Sequence, residues 1–197
     1  MDNAEKIVGY LKRFVDVTNE EAAIFNNHFK ETKVKKGQYI IQPEFTAKYR
    51  NYILQGSFRA YIIDEKGNDH TISFAIDDWW ITDINSYIYQ QPATMFVVAM
   101  EDSLILQLDY EKEKELKAGN HKYETFFRTM AERSLAFLQR RIVTNLTHSA
   151  EERYDHFLKT YPAIAQRVPQ YALASYLGMT TQFLSRIRKN KSKVKLV

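Results

Sequence analysis

Hydrophobic residues in the first 30 positions recur at three- and four-residue steps, which is the spacing of an amphipathic helix. Thr18 precedes Glu20 and Glu21, and a threonine followed by acids is typical of a helix N-terminus. We therefore expect helices through residue 30, the second one capped by Thr18. The residues that carry this pattern are Ile7, Tyr10, Leu11, Phe14, Ala22, Ala23, Phe25 and Phe29.

The pattern changes between Lys33 and Leu108, where short runs rich in β-branched and aromatic residues alternate with turn-forming residues. Several short strands at even spacing are typical of an antiparallel sandwich or barrel. The block 64–69 predicts a hairpin connection in which Gly67 has a positive φ. The predicted strands are 39–41, 52–54, 58–63, 71–75, 95–99 and 103–108.

The chain turns helical again after Asp109, and a long amphipathic helix is predicted over residues 123–146. Its apolar face consists of two neighbouring stripes with three- and four-residue spacing. One edge would pack on the β domain and the other on a second copy of the chain; the alternative is a core helix with a single buried side. The first stripe is Phe127, Met130, Ser134, Phe137 and Arg141, and the second is Ala131, Leu135, Leu138 and Ile142.

Three shorter helices are expected after it, over residues 151–160, 169–177 and 181–189. The stretch 172–189 has the pattern of a helix-turn-helix. Gly178 permits a tight turn, Thr180 would cap the next helix, and Leu184 and Ile187 would face inward with Phe183. The alternative is an ordinary helical hairpin with a solvated polar face.

The outward side of residues 181–189 is polar and basic, which suits major-groove reading because Gln and Arg bond base edges bidentately. We expect Gln182 and Arg186 to contact bases, and the basic residues nearer the end, including Lys193, to contact phosphates. The candidate DNA-binding residues are Thr180, Thr181, Gln182, Ser185, Arg186, Arg188, Lys189 and Lys191.

Charge divides the chain in the same way. Residues 1–118 carry 14 Lys and Arg against 19 Asp and Glu, a net charge of −5, whereas residues 119–197 carry 14 against 5, a net charge of +9. This asymmetry favours contact between the C-terminal part and a polyanion. The alternative is a basic tail that is simply solvated.

Composition excludes several kinds of functional site. The 197 residues are 45% hydrophobic and 26% charged, the balance of a folded protein. The absence of Cys excludes disulfides, cysteine-ligated zinc, iron–sulfur clusters and thiol nucleophiles, and the five histidines lack ligand spacing. We therefore expect neither a metal nor a cofactor. The sequence has no apolar run of bilayer length and no signal-peptide pattern, so a cytoplasmic protein with no membrane partner is expected.

Together, the segments 34–41, 52–61, 98–103, 150–154 and 174–188 resemble the Crp/Fnr family of bacterial transcription regulators, and the last two look like a Bacteroidetes-type branch. The resemblance implies an α+β fold. Residues 1–118 would form an N-terminal antiparallel β-roll, a cyclic-nucleotide-binding-like jelly roll with flanking helices. Residues 119–148 would form a long dimerisation helix, and residues 149–197 a C-terminal helix-turn-helix DNA-binding domain.

The resemblance also implies the function: a non-enzymatic, dimeric transcription regulator that reads an inverted repeat with a C-terminal recognition helix. Its partners would be double-stranded DNA, a second copy of the chain, RNA polymerase and an unidentified small-molecule effector. Family members often add a two-stranded wing after this helix. Only residues 190–197 remain here, so we expect either a branch without the wing or a truncated chain.

The chain departs from nucleotide-binding members of that family, which carry a Gly-Glu pair for the ribose and an Arg for the cyclic phosphate. Thr82 and Asp83 stand near the Gly-Glu position, and Ala93 at or near the Arg position. No Lys or Arg occurs between Lys66 and Lys112. Because a buried phosphate needs a matched cation or several main-chain donors, we expect no binding of cyclic nucleotides.

A candidate effector pocket lies in the same stretch. An aromatic wall with one polar anchor is typical of a small-molecule site. The alternative is core packing of the tryptophans, with the aspartate as a helix cap. The residues concerned are Trp79, Trp80, Asp83, Ala93 and Thr94.

Two other functions compete with transcription regulation. A cupin-like barrel enzyme would need clustered His and Glu ligands on adjacent strands, and His70 is the only histidine in the strand region. An effector-binding or interaction module with a cupin-like barrel would lack sequence-specific DNA binding altogether.

Overall fold

The structure, a computed structural model, describes residues 3–194, and of residues 192–194 the main chain only. Within this range the chain forms nine helices and eight strands. The elements, in chain order, are α1 (Asn3–Leu11), α2 (Asn19–Asn27), β1 (Phe29–Val34), β2 (Tyr39–Ile41), β3 (Tyr49–Gln55), β4 (Ser57–Ile63), β5 (Asp69–Ile76), β6 (Trp80–Ile81), α3 (Ile84–Tyr89), β7 (Phe96–Ala99), β8 (Ser103–Asp109), α4 (Tyr110–Gly119), α5 (His121–Thr147), α6 (Ala150–Thr160), α7 (Pro162–Arg167), α8 (Gln170–Tyr176) and α9 (Thr181–Val194).

The strands form two four-stranded sheets with a jelly-roll-like arrangement. Sheet I has the order β1-β8-β3-β6 and sheet II the order β2-β7-β4-β5. The described strand pairings are all antiparallel. This architecture, with helices before and after the sheets, confirms the predicted α+β fold.

Strand β3 of sheet I is buried on both faces. Ile53 of β3 packs between the two sheets, whereas its neighbours Tyr52 and Leu54 pack against the helices on the other side. Successive side chains of a strand point to opposite faces, so burial of both faces requires an uninterrupted apolar run. The run at residues 52–54 is therefore a consequence of where β3 lies.

Helix α2 forms hydrogen bonds with residues at the start of α5. Thr18 caps α2 as expected, since its Oγ1 accepts a hydrogen bond from Glu21 N at 3.2 Å. The Glu21 carboxylate accepts from Lys122 Nζ at 2.8 Å and from Asn120 Nδ2 at 2.9 Å. These bonds, with Lys122 the largest cause, lower the pKa of Glu21 to about 2.

Several elements differ from the sequence prediction, among them helix α3, which only the alternative interpretation of Asp83 as a helix cap implied. Phe29 belongs to strand β1 and pairs with Leu108 of β8 instead of extending a helix. Strand β6 and helix α7 were not expected, and Pro162 begins α7 as well as ending α6. The N–H of a first-turn residue has no acceptor within the helix. Proline, which has no N–H, is therefore compatible with a helix start.

Gly56, between β3 and β4, has a φ of +127°. An added Cβ would lie 2.0 Å from Ser103 Oγ and 2.9 Å from Ser103 Cα. We expect Gly56→Ala to lower the free energy of unfolding by more than about 2 kcal/mol, because the main chain of β8 must move and the alanine is strained at this φ. Urea denaturation measures the change.

Gly9→Ala is the matched control. Gly9 lies in α1, and an added Cβ meets no atom within 4 Å. Its replacement should raise the free energy of unfolding by about 0.5–1 kcal/mol, because glycine is the weaker helix former. Equal effects of the two substitutions would contradict the role assigned to Gly56.

Candidate nucleic-acid interface

Helices α8 and α9 are joined by a tight turn. Gly178 has a φ of +67°, a conformation that glycine adopts without steric strain. Met179 N donates to Ala174 O at 3.0 Å, which closes the end of α8. Thr180 Oγ1 accepts from Phe183 N at 3.2 Å at the start of α9. The segment therefore consists of two helices joined by a tight glycine turn, and the small Ala174 is buried in α8.

Helix α9 has one buried and one exposed face. Leu184 and Ile187 are buried and Phe183 is half-buried. The polar and basic residues expected to face outward are exposed, and the Arg186 guanidinium lies 5.4 Å from the Phe183 ring centroid. These exposed residues are Thr180, Thr181, Gln182, Ser185, Arg186, Arg188 and Lys189.

Lys191 differs from the rest of the basic set. Its ammonium forms an ion pair with the carboxylate of Asp155 in α6. Lys191 follows Ile187 by four residues, so it lies on the inner side of α9, and this spacing was visible in the sequence. Lys191 therefore connects α9 to α6, and a contact with phosphate would require this ion pair to break. The side chain of Lys193 lies outside the described residues.

Helix α8 lies against strand β5 of the roll. Ser175 Oγ accepts from Thr71 N at 2.8 Å and donates to Asp69 O at 3.0 Å. Arg167 of α7 pairs with Asp77 at 2.7 Å and also with Glu101. The C-terminal helices are thus held on an outer edge of the roll by directed polar contacts.

The two stripes of α5 have different surroundings. Tyr123, Phe126 and Phe127 are buried among the N-terminal helices and sheet I, and Phe137 contacts Tyr161 with ring centroids 6.3 Å apart. The second stripe and its continuation remain exposed. Their exposed fractions are Leu135 67%, Leu138 41%, Ile142 59% and Leu146 81%.

The structure does not bring the two tryptophans into one pocket wall. Trp79 packs toward the C-terminal helices, with its ring centroid 6.0 Å from that of Tyr161. Trp80 packs on the opposite side, 5.3 Å from Tyr52 and 6.3 Å from Phe126. Adjacent residues of an extended segment point to opposite faces. The two indoles therefore belong to two different cores, which corrects the expectation of a shared aromatic wall.

Asp83 is fully buried and caps α3. Its carboxylate accepts hydrogen bonds from Ser86 N at 3.1 Å and Thr94 N at 2.9 Å. Ala93 beside it is buried as well. Two main-chain donors of this segment are thus already bonded to the protein's own carboxylate and are not available to an external anion.

A cation does approach α3 from strand β3, but it is neutralised within the protein. The Arg50 guanidinium carbon lies 5.0 Å from the Tyr87 ring centroid. Arg50 Nε donates to the buried Glu113 carboxylate at 2.5 Å, and Tyr87 Oη donates to the same carboxylate at 2.8 Å. Burial, together with the Glu113 charge, raises the pKa of Tyr87.

A cavity of about 510 Å³ lies elsewhere, along β2 and the start of β3. Tyr39, Phe45 and Lys48 are among its lining residues, and Phe45 is 68% exposed. None of the five residues of the candidate effector pocket lines it. The sequence analysis did not single out this region, although a phenylalanine in a turn between two strands was an available signal.

Metal ligands and membrane spans are also absent from the described part of the chain. No three His, Asp or Glu side chains among residues 3–194 are placed to hold a metal ion. None of the helices in this range combines the length and hydrophobicity needed to cross a bilayer.

Comparison with known proteins gives two findings. Residues 31–120 match the family described as "Cyclic nucleotide-binding domain". No curated protein matches the sequence of this chain.

Solved structures share the fold at low sequence identity. FixK2 from Bradyrhizobium japonicum has a TM-score of 0.76 at 15% identity, covering 85% of this chain and 86% of that chain. A candidate Crp/Fnr-family transcriptional regulator from Eubacterium rectale has a TM-score of 0.72 at 15% identity, with coverages of 94% and 88%. The c-di-GMP-responsive regulator CLP of Xanthomonas campestris has a TM-score of 0.69 at 14% identity, with coverages of 91% and 94%.

These matches extend over the β-roll, the long helix and the C-terminal helices together. The chain therefore has the fold of Crp/Fnr-type regulators, and its residues 31–120 match the cyclic nucleotide-binding domain.

Proposed function

We propose that the protein is a dimeric, sequence-specific DNA-binding transcription regulator without catalytic activity, and that no cyclic nucleotide controls it. The observation that carries this proposal is α9, whose exposed face presents polar and basic residues directly after the Gly178 turn, as a recognition helix requires. The net charge of +9 in residues 119–197 favours a polyanionic partner for this part of the chain.

In this proposal three segments of the chain have different functions. Residues 1–118 form the sensor-like domain, residues 119–148 the dimerisation helix and residues 149–197 the DNA-binding domain. In this division the roll does not itself contact DNA, because its net charge of −5 would be repelled by phosphates.

A second copy of the chain covers the exposed stripe of α5. Full burial of a leucine or isoleucine contributes roughly 1.5–3 kcal/mol, and each copy offers Leu135, Leu138, Ile142 and Leu146. Loss of translational and rotational freedom on association costs roughly 4–15 kcal/mol. Burial of the eight side chains in the dimer would offset most of this range. The two α5 helices would pack side by side as in a coiled coil.

Replacing Leu138 and Ile142 with glutamate tests the dimer. We expect the wild type to be a dimer at micromolar concentration and the double variant to be monomeric or insoluble, because two charges would be buried at the seam. Light scattering measures the mass. Ile24→Glu, at an exposed isoleucine of α2, is the control and should leave the dimer intact. A soluble wild-type monomer would contradict the proposal.

The dimer would present two copies of α9 to successive major grooves about 34 Å apart. The preferred site is then an inverted repeat with half-site centres about one helical turn apart. Gln182 and Arg186 lie four residues apart on the exposed face near the start of α9, which makes them the residues for base contacts. Arg188 and Lys189 lie nearer its end and suit phosphates.

Arg186→Ala tests the base contact. After selection of a preferred duplex from a random pool with the wild type, we expect this variant to lose about 1–3 kcal/mol on the selected site and little on scrambled DNA. Fluorescence titrations at two salt concentrations measure both affinities.

Arg188→Ala is the matched control on the same helix. It should lower the affinity for both duplexes by similar factors and reduce the salt dependence of binding, because a phosphate contact releases counterions from DNA of any sequence. A proportional loss on both duplexes for Arg186→Ala would make Arg186 a phosphate contact instead. Failure of the wild type to bind any duplex at low salt would favour the interaction module.

Cyclic AMP and cyclic GMP should give no calorimetric binding isotherm with the wild type at physiological concentrations. Asp83 occupies Ser86 N and Thr94 N, and Ala93 supplies no cation for the phosphate. An isotherm with a stoichiometry of one nucleotide per chain would refute this part of the proposal.

A further inference from the structure

Arg141 of α5 carries a guanidinium that is turned toward the inside of the molecule. It donates to the main-chain carbonyl of Ile72, to that of Thr71 at 3.2 Å and to that of Tyr176 at 3.3 Å. Within the described residues its hydrogen-bond acceptors are thus carbonyls and not carboxylates, and its Nε is buried without a partner. Burial lowers the pKa of Arg141. Such a desolvated charge without a counter-ion is costly to retain.

On the roll, Arg141 meets an irregular point of strand β5. Ala60 pairs with Ser73 and Tyr61 with Thr71, so Ile72 is an extra residue in the pairing of β4 with β5. A bulge of this kind bends the strand and redirects its main-chain groups. Since β5 is also the outer strand of sheet II, the carbonyls of Thr71 and Ile72 are available to a donor from outside the sheet.

On the C-terminal side, Arg141 meets the end of α8. The carbonyl of Tyr176, the last residue of α8, accepts from it, and the guanidinium carbon lies 4.1 Å from the centroid of the Tyr176 ring. Gly178 follows two residues later and α9 begins at Thr181. A displacement of Tyr176 is therefore passed to α9 through a turn of only four residues.

Apolar packing alone would not set this geometry. Phe74, Phe137 and Tyr161 lie together where the roll, α5 and the C-terminal helices meet, and such contacts favour association without a strong directional preference. The planar guanidinium, in contrast, offers donors in a fixed fork. Arg141 joins α5, β5 and α8 with one side chain, so it defines their relative orientation.

We propose that Arg141 is a positioning residue, which fixes the helix-turn-helix relative to α5 and thereby sets the distance between the two α9 helices of the dimer. This inference rests on the proposed function, because the distance matters only if both copies of α9 bind one duplex. Arg141 would then determine the spacing of the half-sites that the dimer accepts, and not the bases within each half-site.

Arg141→Met removes the donors and keeps an apolar stem of similar length. Its test uses the duplex selected by the wild type, variants of that duplex with one or two base pairs added or removed between the half-sites, and a single half-site. We expect the wild type to lose about tenfold or more in affinity when the spacing changes. Arg141→Met should bind all spacings within about threefold of one another and match the wild type on the single half-site.

Arg140→Met is the matched control, because it removes the same charge from the neighbouring exposed position of α5. It should retain the spacing preference of the wild type. Light scattering and circular dichroism establish that each variant is a folded dimer. Should Arg141→Met fail to fold, Arg141→Lys carries the test, because it keeps the positive charge and loses the planar fork of donors, and it should relax the spacing preference in the same direction.

The outcomes separate the two proposals. If the wild type selects no duplex, DNA binding itself is refuted. If the wild type selects a spaced inverted repeat and the folded variant keeps the same spacing profile, Arg141 is not a positioning residue. If Arg141→Met lost affinity by the same factor on the single half-site and on every spacing, this would also contradict the positioning role of Arg141.

Discussion

The packing of Phe126 is the contact on which the arrangement of the rest of the chain depends. This side chain of α5 is fully buried, and its ring centroid lies 5.4 Å from that of Phe14, 5.5 Å from Phe25 and 6.3 Å from Trp80. Each such ring pair contributes roughly 0.5–1.5 kcal/mol beyond the area it buries. The cluster joins the turn after α1, helix α2 and sheet I to α5, so it fixes the direction in which the long helix leaves the roll. The exposed stripe and Arg141 both lie further along that helix, so their positions depend on its direction.

The sequence predicted the fold best where burial is complete. The run around Ile53 is apolar without interruption because both faces of β3 are covered there, and an uninterrupted apolar run is easily recognised in a sequence. Strand β1 was missed because its exposed residues Lys30, Glu31 and Lys33 are distributed over both faces of the strand, which leaves few apolar positions to define a period. Phe25 and Phe29, four residues apart, fit a helix equally well. In the structure the chain changes from helix to strand between them, and periodicity alone does not mark that change.

The site was harder to predict than the fold, since it depends on which face each side chain occupies. Helical spacing was sufficient for Leu184 and Ile187, and the same spacing places Lys191 on their side of α9, facing Asp155. Adjacency along an extended segment implies opposite faces, and this separates Trp79 from Trp80. Arg141 stood in an apolar stripe of α5, which marked it as unusual, but its three carbonyl acceptors come from β5 and α8. Contacts between elements so distant in sequence are not encoded in any local pattern.

Two charged groups inside the roll, Asp83 and Arg50, already have partners within the protein. Asp83 satisfies Ser86 N and Thr94 N, and Glu113 neutralises Arg50. An incoming anion would have to displace buried, hydrogen-bonded groups, which is unfavourable because each displaced partner is left unsatisfied. The outer edge of β5 is different, since its polar groups bond to the C-terminal helices and could exchange those bonds for water at little net loss. Displacement of the C-terminal helices therefore requires less free energy at this edge than rearrangement inside the roll.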